Sequence, residues 1–89
     1  MKSVATRRFW SCFEALPAHV QRQAENAYRL WLADPGHRSL EFKQAHSRRP
    51  IMSIRIGLHW RALGERQGDA IVWFWIGSHA DYDRLLTRL

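Results

Sequence analysis

The stretch from Ile51 to His79 constrains the fold more than any other part of the chain. It holds three short apolar runs, broken at Gly57-Leu58-His59 and at Arg66-Gln67-Gly68-Asp69. Each run has the length of a strand and is rich in β-branched and aromatic residues, with Gly or Asp at the breaks. The pattern predicts a three-stranded antiparallel meander. In the first run Met52, Ile54 and Ile56 alternate with Ser53 and Arg55, giving one apolar and one polar face. In the second, Trp60, Ala62 and Gly64 alternate with Arg61, Leu63 and Glu65. The third, Ala70 to Ile76, is apolar on both faces, as suits a central strand covered on both sides. The apolar face of such a sheet needs helices. The other face carries Arg55 and Arg61. Trp73 and Trp75 stand two apart and so share a face, but a one-residue slip in register would swap which face that is.

The flanks supply the helices. Thr6 is a fair N-cap. Phe9, Cys12, Phe13 and Leu16 then follow at helical spacing. Pro17 ends that helix and suits the start of a second, which runs to about Leu32 with Val20, Ala24, Ala27 and Trp31 on one stripe. Small Ala residues on the stripe predict a close approach to the neighbouring helix. Asp34-Pro35-Gly36 is a stop and turn. Leu40 and Phe42 alternate with Glu41 and Lys43 as at the start of a strand, and Gln44 to Arg49 reads as a loop. Met1 to Ala5 reads as an edge strand. The last residues, from His79 to Leu89, place Tyr82, Leu85, Leu86 and Leu89 on one helical stripe. Helices grouped ahead of strands predict an α+β fold over one domain, residues 1–89. A helical hairpin packs on one face of an antiparallel sheet of three or four strands, and a short C-terminal helix closes the chain.

Charge narrows the partners. Of 14 basic residues only Lys2 and Lys43 are lysines, and the net charge is +6. Between His37 and Arg61, Arg38, Lys43, Arg48, Arg49, Arg55 and Arg61 face a single acid, Glu41. Arginine reads phosphate in bidentate fashion, so a concentrated basic segment favours nucleic acid or an acidic protein. The competing reading is a solvated basic surface of an arginine-rich proteome. The lone Cys12 excludes an internal disulfide, and nothing resembles a zinc ligand set. There is no apolar leader segment and no run long enough to span a membrane, so a reducing cytoplasm is the expected compartment.

Three local stretches, in order, resemble the RelE/ParE toxin superfamily, the toxin half of bacterial toxin–antitoxin pairs. They are Leu40-Glu41-Phe42-Lys43, then Ser53-Ile54-Arg55-Ile56-Gly57 followed by Trp60-Arg61-Ala62-Leu63, and finally Ile76-Gly77-Ser78-His79 with Tyr82. Ser53 stands where the family is often basic, and Trp60 replaces the usual Tyr before Arg61. The resemblance implies a toxin of the RelE type, a metal-independent mRNA endoribonuclease that acts on the ribosome, needs no cofactor and is neutralised by a cognate antitoxin. The alternatives are a ParE-like inhibitor of DNA gyrase without nuclease chemistry, or a non-toxic binding module of the same fold.

Cleavage by the ribose 2′-OH requires a base, cations for the charged transition state and an acid for the leaving oxygen. Arg61 is the expected phosphate clamp, set against the plainer reading of a surface arginine paired with Glu65. As an exposed strand residue it should add little to stability. His79 is the expected acid or base, because imidazole exchanges protons near neutral pH; the plainer reading is a capping or turn histidine. Tyr82 either joins the catalytic group or serves as helix-to-sheet core. Lys43 and Arg55 extend the positive field under the RNA backbone. Trp73 and Trp75 form a floor for stacked bases if they face the open side, or a docking patch for an acidic, amphipathic antitoxin segment that also covers Arg55 and Arg61; the plainer reading places both in a small core.

Overall fold

The computed structural model describes residues 1–89. Strand β1 spans Lys2–Ala5, helix α1 Arg7–Glu14 and helix α2 Ala18–Ala33. A single 3-10 turn at Arg38–Leu40 leads to the two-residue strand β2, Lys43–Gln44. The meander follows as β3 (Ile51–Ile56), β4 (Trp60–Gln67) and β5 (Ala70–Ser78), and α3 (His79–Leu86) ends the fold. The expected α+β class and element order hold. The sheet is wider than expected and mixed: its order is β1-β5-β4-β3-β2, and β1 pairs in parallel with β5. Parallel pairing follows from the path of the chain, since β1 leaves the sheet through two helices before the meander returns beside it.

Local chemistry accounts for the helices. The Thr6 hydroxyl accepts from the Phe9 backbone N–H at 3.1 Å and caps α1. Pro17 sits at the N-cap of α2, where its missing N–H costs nothing. Val20, Ala24 and Trp31 are the buried stripe of α2. Trp31 meets Trp73 edge-on at 5.4 Å and Phe42 at 5.7 Å, tying helix to sheet through favourable T-shaped contacts. The two helices do not close against each other. Ala24 and Ala27 instead line an apolar cleft of about 320 Å³ between α1, α2 and the sheet.

Alternation divides the sheet as expected. Ile54, Ile56, Ala62 and Ile76 face α1 and α2, while Ile51, Leu63 and Trp75 face the other way and are covered by Tyr82 of α3. Helices therefore lie on both faces. The two tryptophans depart from simple alternation. Leu63 pairs with Trp75 and the next residue, Gly64, pairs with Trp73, so Phe74 is an extra residue in β5. This β-bulge breaks the period of two and sends Trp73 into the helix-side core and Trp75 into the α3-side core. Both are buried, which excludes the open aromatic floor and agrees with the core reading, although the two sit in different cores.

Each tryptophan ring lies across a glycine. A Cβ on Gly64 would come within 2.8 Å of Trp73 Cε3, and one on Gly77 within 2.5 Å of Trp75 Cζ2. Backbone approach this close admits only glycine. Gly77→Ala is expected to destabilise the protein by about 1–3 kcal/mol, the usual result of forcing a methyl into a packed core. A urea midpoint equal to that of the wild type would contradict the packing described.

Candidate functional site

Arg55 and Arg61 are direct cross-strand partners on the face of the sheet opposite α1 and α2. Two guanidiniums so placed repel each other, and the surrounding groups offset this. The Glu41 carboxylate bridges them: Oε1 accepts from Arg61 Nη2 at 2.6 Å and Oε2 from Arg55 Nη1 at 3.0 Å. Arg55 Nε donates to the Gly57 carbonyl at 2.9 Å, and Arg61 Nη1 donates to Ser53 Oγ at 3.4 Å. Ser53 is fully buried beneath it. The Arg61 guanidinium also lies over the Tyr82 ring, 5.3 Å from its centroid.

Arg61 is thus not an exposed strand residue. It is only 7% exposed, and its partner is Glu41; Glu65, its partner in the plainer reading, pairs with Arg49 at 3.4 Å. Removing Arg61 would leave the buried Ser53 hydroxyl without that donor, which costs about 1–3 kcal/mol where such a group lies away from water. The sequence-based expectation of a negligible effect on stability does not hold.

His79 opens α3 and stacks on Tyr82, with centroids 5.6 Å apart. The cap of this helix is Ser78, whose hydroxyl accepts from the Asp81 N–H at 3.1 Å, so His79 is free of the capping role. Its backbone N–H donates to the His59 carbonyl at 2.8 Å, fixing the start of α3 against the β3–β4 turn. Its imidazole is exposed, with Asp83 Oδ2 3.6 Å from Nε2. Asp81 pairs with Arg84 in the same helix.

Glu41, Arg55, Arg61 and His79 line one depression of about 160 Å³, with Leu58 and Trp60 at its side. Of the residues singled out from the sequence, Arg55, Arg61 and His79 come together here, with buried Tyr82 beneath Arg61 and against His79. Lys43 stands opposite Ser53 on the same sheet face, exposed at the β2 edge. Trp73 and Trp75 take no part. Glu41 was missed as a site residue. It was the single acid in the basic segment, and that isolation was the one available signal.

Glu41 has a left-handed backbone, φ 45° and ψ 46°, uncommon for a residue with a side chain. Its carboxyl is held below the usual carboxylate range, first by the hydrogen bond from Arg61 and then by that from Arg55. A depressed folded-state pKa stabilises the fold above the unfolded value, and that stabilisation is lost as pH falls through the folded value. The difference in urea midpoint between wild type and Glu41→Gln is therefore expected to be constant above pH 4.5 and to shrink only below it. A difference that grows on acidification would contradict the assigned ion pairs.

Known proteins share this fold. The family model for the ParE-like toxin domain matches residues 18–84. No curated protein matches the sequence. Among solved structures, RelE in the RelB–RelE antitoxin–toxin complex from Methanococcus jannaschii is 17% identical, with a TM-score of 0.72 over 91% of this chain and 96% of that one. YafQ from E. coli is 8% identical, with a TM-score of 0.73 over 92% of this chain and 98% of that one. The YoeB/ParE toxin from Agrobacterium tumefaciens is 18% identical, with a TM-score of 0.67 over 89% of this chain and 99% of that one. With the family model covering most of its length and the fold shared end to end, the chain belongs to the ParE-like toxin domain family of the RelE/ParE superfamily.

Proposed function

We propose that the protein is an endoribonuclease toxin that cuts mRNA, stops translation in the cytoplasm and is held silent by an antitoxin. The observation that carries this reading is the convergence of one carboxylate, two guanidiniums and one imidazole on a single open depression. These are the groups that an attack by the ribose 2′-OH requires. Glu41, ionised at neutral pH, accepts the 2′-OH proton. The 2′-oxygen bonds to phosphorus while Arg61 and Arg55 donate to the non-bridging oxygens and oppose the charge that builds there. The bond from phosphorus to the 5′-oxygen breaks, and His79 gives that oxygen a proton. The products are a 2′,3′-cyclic phosphate and a free 5′-hydroxyl. The nucleophile belongs to the substrate, so the protein supplies only proton transfer and charge. Tyr82 is a positioning residue, in contact with both Arg61 and His79. Lys43, Arg48 and Arg49, all exposed, extend the positive surface along which RNA would lie.

A second reading, inhibition of DNA gyrase without chemistry, is favoured by the ParE-like character of the matched family model. Induced expression with separate readouts of translation and supercoiling divides the two. Rapid translation arrest with cleaved mRNA is expected, and His79→Ala should slow cleavage by about a hundredfold or more, the usual range for losing an acid–base group, without weakening RNA binding. An SOS response with intact mRNA would retire the nuclease reading.

The apolar contacts expected for the antitoxin at Trp73 and Trp75 are not on offer, because both are buried. The cleft between α1 and α2 is the fitting surface. It is lined by Val4, Trp10, Phe13 and Tyr28, and Trp10 is 50% exposed. Apolar area of this kind on a small soluble protein marks an interaction site. A net charge of +6, with Lys2, Arg7 and Arg8 nearby in the chain, disfavours a second copy and favours an acidic amphipathic helix. The similar Methanococcus jannaschii structure is itself a complex with RelB. Trp10→Asp is expected to abolish neutralisation by the co-expressed antitoxin while leaving the protein toxic. Full neutralisation of that variant would move the docking site.

A further inference from the structure

We propose that Glu41 is a built-in occupant of the phosphate position, displaced by the substrate and freed by that displacement to act as the base. The inference rests on the ribonuclease reading for its second half, and on geometry alone for its first.

Arg55 and Arg61 have inward donors and outward donors. The inward ones are spent on the fold, Arg55 Nε on the Gly57 carbonyl and Arg61 Nη1 on Ser53 Oγ. The outward ones, Arg55 Nη1 and Arg61 Nη2, converge on one anion, and the two oxygens of Glu41 fill that position. A phosphate presents two non-bridging oxygens in a comparable fork. Phosphate and Glu41 therefore compete for the same pair of donors.

Glu41 is placed to yield. Its side chain is 38% exposed, so it has a path to water. It is carried on the short segment between the 3-10 turn and the two-residue strand β2, not on a long element. Its left-handed backbone is strained for a residue with a Cβ, and strain of this kind persists only while surrounding contacts hold it. Its backbone N–H donates to the Arg38 carbonyl at 3.3 Å, and its carboxylate is held by the two arginines. When phosphate takes them, Glu41 loses both its restraint and the hydrogen bonds that depress its pKa, and its basicity rises as substrate arrives. The same exchange relieves the cross-strand arginine repulsion in the unbound protein and supplies the charge clamp in the bound one.

The test uses the intact protein and inorganic phosphate, followed through the arginine side-chain NMR signals. Glu41→Gln is expected to bind phosphate on the order of tenfold more tightly than wild type, the size of one charge-assisted hydrogen bond at a partly exposed site. Glu65→Gln removes the same charge from a carboxylate that pairs with Arg49 and is the control for a general field effect. Glu41→Gly, suited to the left-handed backbone, provides a second variant that should show the same gain. Equal affinities for the Glu41→Gln and Glu65→Gln proteins, or weaker binding by both Glu41 variants, would overturn the proposal. A 2′-deoxy-substituted RNA oligomer should follow phosphate in the same order. Wild-type protein that cleaves no RNA would overturn the ribonuclease reading, and the phosphate titration would still decide whether Glu41 holds the anion position.

Discussion

Two arginines face each other across adjacent strands, and the architecture around them is what makes that arrangement tenable. Arg55 and Arg61 are paired residue to residue, where like charges repel. The Glu41 carboxylate joins them, the Ser53 hydroxyl takes a further donor, and the Tyr82 ring lies under the Arg61 guanidinium. Each of those groups comes from a different part of the chain. The segment before β2, the centre of β3 and the first turns of α3 are all held to one point. A cluster of this kind has no local substitute, because no single helix or hairpin could bring a carboxylate, a hydroxyl and an aromatic face to the same two cations.

The second constraint sits in β5. This strand is interior and buried on both faces, with α1 and α2 on one side and α3 on the other. The extra residue Phe74 lets it present one tryptophan to each core. Trp73 donates from Nε1 to Ser3 Oγ at 3.0 Å and so links β1 to the helix-side core. Trp75 packs with Leu63 and Tyr82 and anchors α3. The placement of His79 therefore depends on a tryptophan that never meets the site. Packing transmits position here: the bulge sets Trp75, Trp75 helps seat Tyr82, and Tyr82 stacks on His79.

The polar depression and the apolar cleft lie on opposite faces of the same sheet. Arg55 and Arg61 alternate with Ile54, Ile56 and Ala62, so neighbouring residues of β3 and β4 serve different surfaces. A partner seated in the cleft has affinity from apolar contact without competing for the charged groups. Covering both surfaces would require a segment that wraps past the edge of the sheet. The two open edges differ in kind, one being the four-residue β1 and the other the two-residue β2. The longer edge stands beside the cleft, and strand edges with free backbone groups are templates for pairing.

The sequence by itself determined the meander, the two N-terminal helices with their Thr6 cap and Pro17 break, the amphipathic last helix and the sharing of one sheet face by Arg55 and Arg61. Periodicity and turn chemistry are local, and each of these features is encoded within a few residues. His79 at the end of β5 and Arg61 on β4 were legible for the same reason, helped by the family resemblance. Only the tertiary structure decided the rest. Glu41 lies 20 residues from Arg61, and its role depends on a left-handed turn that alternation at Leu40 to Lys43 concealed. The split of Trp73 from Trp75 depends on a bulge, which inserts one residue without leaving a sequence period to detect. The parallel pairing of β1 and the burial of Arg61 are long-range outcomes. They are set by which surfaces remain to be covered once the local elements have formed.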